Sequence, residues 1–170
     1  MTPEFSREVR LDELSSHERS YEIEASEAER VALAKRFAIE AIGHLAASVR
    51  LKAEPGGRMV RLMANLTADV VQTCVITLES VPAHIERAFE VLYDHAAEPA
   101  GREVVLDAGE VDIVPIEGET LDIGEAVAEE LALSLDPFPR APGAQVEGGE
   151  MPQEAANRPF EILARFKAKH

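Results

Sequence analysis

The chain has one cysteine, no tryptophan, and only two tyrosines and six phenylalanines. A single cysteine forms no internal disulfide, so nothing in the sequence asks for an oxidising compartment. It also rules out the multi-cysteine zinc patterns, and the five histidines stand singly at positions 17, 44, 84, 95 and 170, without metal-ligand spacing. So few rings leave little from which to build base-stacking platforms. No apolar run approaches the roughly 18 residues that span a bilayer, and the opening MTPEFSREVRLDEL lacks the basic and then apolar order of a signal peptide. A Gly-rich phosphate loop and a Ser and His pairing motif are also missing. These absences predict a cytoplasmic protein with no membrane association, no cofactor and no small-molecule substrate.

Basic residues are scarce too. Thirty-two acids face 17 bases, for a formal net charge of −15. The imbalance is local: residues 84–154 hold 18 acids and three bases (Arg87, Arg102, Arg140), whereas residues 1–83 hold 13 acids and 10 bases. Non-specific affinity for nucleic acid comes from neutralising phosphates, so a chain this acidic repels RNA through its bulk field, and any RNA contact has to be local.

The residues that are present make one core. At 46% hydrophobic and 29% charged over 170 residues, the composition is that of one globular domain with tails. FSREVRL at 5–11 and YEIEA at 21–25 read as extended segments. Ser26 with Glu29 spells a capping box, which predicts a helix through residues 27–41 with Val31, Leu33, Ala34, Phe37 and Ala38 on its buried stripe and Gly43 as its stop. LAASVRLKA, the turn EPGG at 54–57 and RMVRLMANLT make a hairpin in which Leu45, Val49 and Leu51 face Val60, Leu62 and Leu66 across the core side. The opposite face carries Arg50, Lys52 and Arg61, with Arg58 beside the turn; it is either an RNA-phosphate contact or a solvated edge that blocks strand pairing.

The same alternation continues through VVQTCVITLESVP, predicting a strand over 70–79 with Cys74 inward, where a free thiol packs as a small hydrophobe. A nucleophilic cysteine needs a base or a positive neighbour, and the strand supplies none. Residues 84–94 fit strand better than helix, with short strands expected at 103–106 and 111–114. Asp122 caps a second helix, in which Ile123, Val127 and Leu131 form the apolar stripe. It stops at DPFPRAP, because Pro137 disfavours helical geometry at Asp136. The expected fold class is α+β: a mainly antiparallel, curved sheet or partial barrel with two covering helices. The expected organisation is a domain over 1–140, a flexible linker over 141–157, and a basic tail over 158–170 in which Arg158 and Phe160 are candidate docking residues.

Three features together resemble a known family: the strand bearing TCVITLESVP, an acidic interval, and ETLDIGEAVAEELALSLDPFPRAP. The chain is similar to the YceD family, named for large ribosomal RNA subunit accumulation, over most of residues 5–143, and RPFEILARFK resembles that family's tail. The positions carried over are Cys74, Leu78, Asp122, Glu129, Glu130, Pro137 and Pro139. Where many members read Cys-x-Arg-Cys-Leu, this chain reads Cys74-Val75-Ile76-Thr77-Leu78, so a metal or redox role for the extra cysteines does not transfer. The resemblance implies a non-enzymatic factor in bacterial ribosome biogenesis, supporting accumulation or processing of 23S ribosomal RNA. Its implied partner is a basic ribosomal protein, large-subunit rRNA or a pre-ribosomal particle. Two alternatives stand beside it: a protein-binding adaptor unrelated to RNA, and an enzyme using the adjacent carboxylates Glu129 and Glu130. Those two lie about 100° apart around a helix, which keeps them from converging on one atom.

Overall fold

The computed structural model describes residues 3–94, 112–116 and 118–145. In chain order the elements are β1 (Glu8–Arg10), a 3-10 turn (Leu11–Glu13), β2 (Arg19–Glu24), α1 (Glu27–Arg36), β3 (Ala41–Ala53), β4 (Met59–Thr73), β5 (Ser80–Asp94), β6 (Asp112–Pro115), β7 (Thr120–Asp122) and α2 (Ile123–Ser134). Five strands form one open sheet in the order β2-β3-β4-β5-β6, and β1 pairs with β7 in a separate two-stranded sheet. All pairings are antiparallel except that of β5 with β6. The protein is thus α+β, mainly antiparallel, with two helices on the sheet.

The hairpin of β3 and β4 sets the core. Its register pairs Leu45 with Ala68, Val49 with Ala64 and Leu51 with Leu62, all on one face and all buried. Alternation of side chains across a strand then sends Arg50, Lys52 and Arg61 to the other face. Over the buried face lie Leu33 and Ala34 of α1 and Ile123, Val127 and Leu131 of α2, each large apolar side chain there contributing about 2 kcal/mol when removed from water. The capping box at Ser26 is present: Glu29 N–H donates to the Ser26 hydroxyl, and the Glu29 carboxylate accepts from the Ser26 backbone N–H.

Three details differ from the sequence reading. α1 ends at Arg36 rather than continuing to 41, because Ala38 turns left-handed (φ 54) and the N–H groups of Ala38 and Ile39 close back on the carbonyls of Lys35 and Ala34, a Schellman closure made without glycine. Gly43 therefore lies within β3, and Val31 and Ala38 face solvent instead of the core. The strand expected over 70–79 is broken: β4 stops at Thr73, residues 74–79 form a turn, and β5 begins at Ser80. The strand at 111–114 is present as β6, one residue along, and the one at 103–106 lies outside the described residues.

Candidate functional site

The four bases of the hairpin share one region but are not a free cationic patch. Arg58 donates two hydrogen bonds to the buried carboxylate of Asp94, at 2.7 and 2.6 Å. Arg61 lies between Glu54, at 2.5 Å, and Glu90, the residue diagonally across on β5. These carboxylates hold both guanidinium groups still more firmly charged than usual. Arg50 stands 3.8 Å from Glu18. Lys52 is exposed with no carboxylate in ion-pair range among the described residues. Bidentate pairing occupies the donors that would otherwise grip phosphate.

Glu129 and Glu130 diverge on α2. Glu130 accepts from Arg87 on β5 at 2.9 Å. Glu129 lies on the side of Tyr93 and Arg36, where partial desolvation and then the neighbouring Glu125 push its carboxyl upward. Burial raises the Tyr93 hydroxyl to about 12, with the charges of Glu129 and Asp122 adding to the shift. Glu125 is held by a bidentate pair from Arg36, which also reaches Glu4 at 3.0 Å. The two adjacent carboxylates thus face different partners and bracket no common atom. An open hollow of about 570 Å³ between β1 and β2 is lined by Glu8, Arg10, Glu13, Arg19 and Tyr21, and its arginines are already paired with Asp12 and Glu13.

Cys74 is buried, but it stands apart from the continuous hydrophobic core. Its sulfur accepts hydrogen bonds from the backbone N–H groups of Ile76 and Thr77, both at 3.4 Å, and of Ala141 at 3.2 Å. The Thr77 side chain, and then the N–H groups of Thr77 and Ala141, draw the thiol down from 9.0 to about 6. The sulfur therefore fastens a turn where the sequence suggested apolar filler. The turn is closed by Cys74 N–H to Glu79 O at 2.8 Å and Leu78 N–H to Cys74 O at 3.1 Å, with Leu78 left-handed at φ 62.

The DPFPRAP segment is fastened to the same turn. Val75 N–H donates to the carbonyl of the buried Pro139 at 2.9 Å, Gln72 donates to the Asp136 carbonyl at 2.9 Å, and Asp136 caps the Phe138 N–H at 2.9 Å. Pro137 stays exposed. Asp122 accepts from Gly124 and Glu125 at the start of α2 and also from the N–H of Arg7, the residue before β1, at 2.8 Å. Arg158 and Phe160 lie outside the described residues. Sequence reasoning passed over Val75 and Phe138, which the turn and the two prolines hold in solvent; the flanking of Phe138 by prolines was the available signal.

Among the described residues no three His, Cys, Asp or Glu side chains are grouped to hold a metal ion, and no helix is long and apolar enough to cross a membrane. No curated protein and no solved structure matches the chain. A family model described as large ribosomal RNA subunit accumulation protein YceD matches residues 62–167, a range that begins within β4 and includes the 74–79 turn, β5 and α2. With more than half its length matched, and with the turn and the capped helix inside the match, the chain belongs to the YceD family.

Proposed function

We propose that the protein supports accumulation of large-subunit ribosomal RNA as a non-enzymatic, cytoplasmic factor, holding a basic ribosomal protein on its acidic surface before assembly. The observation that carries this reading is the neutralisation of Arg58 and Arg61 by Asp94, Glu54 and Glu90. With those donors occupied, the exposed face of the sheet has little cationic surface for RNA, while the whole chain carries −15. Such a field accelerates encounter with a basic protein and repels free RNA. The divergence of Glu129 and Glu130 likewise favours a binding role for α2 over a paired acid and base.

Affinity capture of the tagged protein from cells, with and without ribonuclease, tests the reading. Large-subunit ribosomal proteins should remain bound after ribonuclease and leave as salt is raised. Their loss on ribonuclease treatment would move the contact to RNA, with Arg50 and Lys52, the least firmly paired of the hairpin bases, as its first candidates.

A further inference from the structure

Two segments fastened together by Cys74 hold three apolar side chains in water. Val75 is 49% exposed, Leu78 77% and Phe138 68%. Nothing in the folding of the turn explains Leu78. A left-handed leucine is strained relative to its ordinary backbone, and glycine or asparagine would close the same turn without presenting an isobutyl group to solvent. Phe138 is likewise held out by an anchored backbone, with Asp136 on its N–H and the buried Pro139 behind it. Strain retained together with exposure marks a prearranged contact surface. Acids outnumber bases around it: Glu79 and Asp136 are exposed beside it and Glu40 reaches the start of β5 through Ser80, against the one exposed base Arg140.

We propose that residues 158–170 of the same chain, RPFEILARFKAKH, dock on this platform, with Phe160 and Phe166 as the apolar anchors. Three observations select this occupant. The described chain runs directly off the platform: Ala141 is bound to the Cys74 sulfur, and only the dozen residues 146–157 separate the end of that segment from Arg158. At no more than about 3.3–3.6 Å per residue, that separation puts Arg158 at most about 45 Å from the end of the described segment, which leaves the tail within reach of the platform. The tail also matches in chemistry, with four bases against one acid after a stretch of 18 acids and three bases. Finally, the family model that matches the platform residues also matches the tail through residue 167. The proposal holds whichever partner the acidic surface binds.

Photocrosslinking in the full chain tests it. Leu78 is replaced by p-benzoylphenylalanine, light and heavy isotopic copies are mixed and irradiated at low concentration, and adducts are mapped by mass spectrometry. The expected product is an adduct between residue 78 and the 158–170 segment within one copy, reduced about tenfold by the double substitution Phe160→Ser and Phe166→Ser. Adducts joining light to heavy copies would show that a second molecule covers the platform, and an absence of tail adducts would show that nothing of this chain does; either overturns the proposal. Hydrogen exchange supplies a second readout that needs no change at the platform. In the double-serine variant, the amides of residues 75–79 should exchange about tenfold faster while β3 and β4 keep their protection, and unchanged exchange at the turn would refute docking.

Discussion

Gly124 is where the two sheets and α2 depend most closely on one missing atom. A Cβ built there meets the Phe5 carbonyl oxygen at 2.6 Å, the Arg7 nitrogen at 3.0 Å and the Phe5 carbonyl carbon at 3.1 Å. These are backbone atoms of the segment leading into β1, so no side-chain rotation relieves the contact. Restoring ordinary separation requires a shift of roughly 1 Å. That shift acts on the Arg7 N–H bond to Asp122 at 2.8 Å and the Ile123 N–H bond to Arg7 O at 3.0 Å, and it lifts the fully buried Phe5. Overpacking of this kind costs about 1–3 kcal/mol, and two weakened hydrogen bonds add about 1 kcal/mol each when lost outright. Against this, alanine is preferred over glycine in a helix by at most about 1 kcal/mol. The expected net effect of Gly124→Ala is a loss of about 2 kcal/mol, read as a lower urea midpoint at unchanged slope and a fall in Tm of about 4–8 °C. A variant as stable as the parent, or more so, would refute the close approach and with it the docking of β1 on α2.

Asp122→Ala should cost about 2 kcal/mol, since one carboxylate oxygen serves two helix N–H groups and the Arg7 N–H, whereas Asp122→Asn keeps an acceptor and should lose less than about 1 kcal/mol; equal losses in urea titrations would count against the shared-acceptor geometry. Glu29 is held down at about 2 by its hydrogen bonds from the Arg7 guanidinium. Its folded pKa lies below its ordinary value of 4.5, so its stabilising contribution is complete above pH 4.5 and is lost as pH falls towards 2; Glu29→Gln should flatten that acid limb in thermal melts at a series of pH values. Cys74 follows the same sign, with its thiol lowered from 9.0 to about 6. The contribution is absent below about pH 6, grows as pH rises, and is complete near 9.0, so the stability gap between parent and Cys74→Ser should widen from pH 6 to pH 9. His84 is raised by its hydrogen bonds to Asp69, at 2.6 Å, and Glu86. Asp69→Asn should move its NMR titration midpoint downward.

Elements whose causes lie within a few residues were legible from the sequence. The Ser26 and Glu29 capping box, the alternation through the β3 and β4 hairpin, the Asp122 cap and the stop at Pro137 are each short-range, and each appears in the structure. The end of α1 was not legible, because the left-handed closure falls on Ala38 while Gly43, the better residue for it, is taken into β3. The turn at 74–79 was hidden for a related reason. Apolar residues continue to alternate through Ile76 and Leu78, and the position that needs a positive φ carries leucine. Gly124 shows no local signal at all, since the atoms that exclude a side chain there come from residues 5 and 7.

The partners of the hairpin bases were not legible from sequence because charge was counted along the chain. On one strand face, Arg50, Lys52 and Arg61 read as a basic stripe, and nothing in residues 45–62 other than Glu54 opposes them. Pairing with β5 brings Glu90 and Asp94 alongside, residues that fall in the acidic half of the sequence and far along the chain from the hairpin turn. Strand pairing thus mixes the charges of the two halves across the sheet. Cys74 shows the same effect in chemistry: the donors two and three residues along, Ile76 and Thr77, turn towards it only because the strand breaks, and the donor that completes its environment, Ala141 N–H, arrives from 67 residues away. A sulfur that accepts three N–H groups is a polar fastener, and what it fastens is the pair of loops that present Val75, Leu78 and Phe138. The character of this surface follows from contacts made across the sheet and across the turn, so Asp94→Asn should leave Arg58 without its carboxylate and reduce the basic proteins retained after ribonuclease, and Cys74→Ser should lower the crosslink yield between residue 78 and the tail, though neither residue touches what binds.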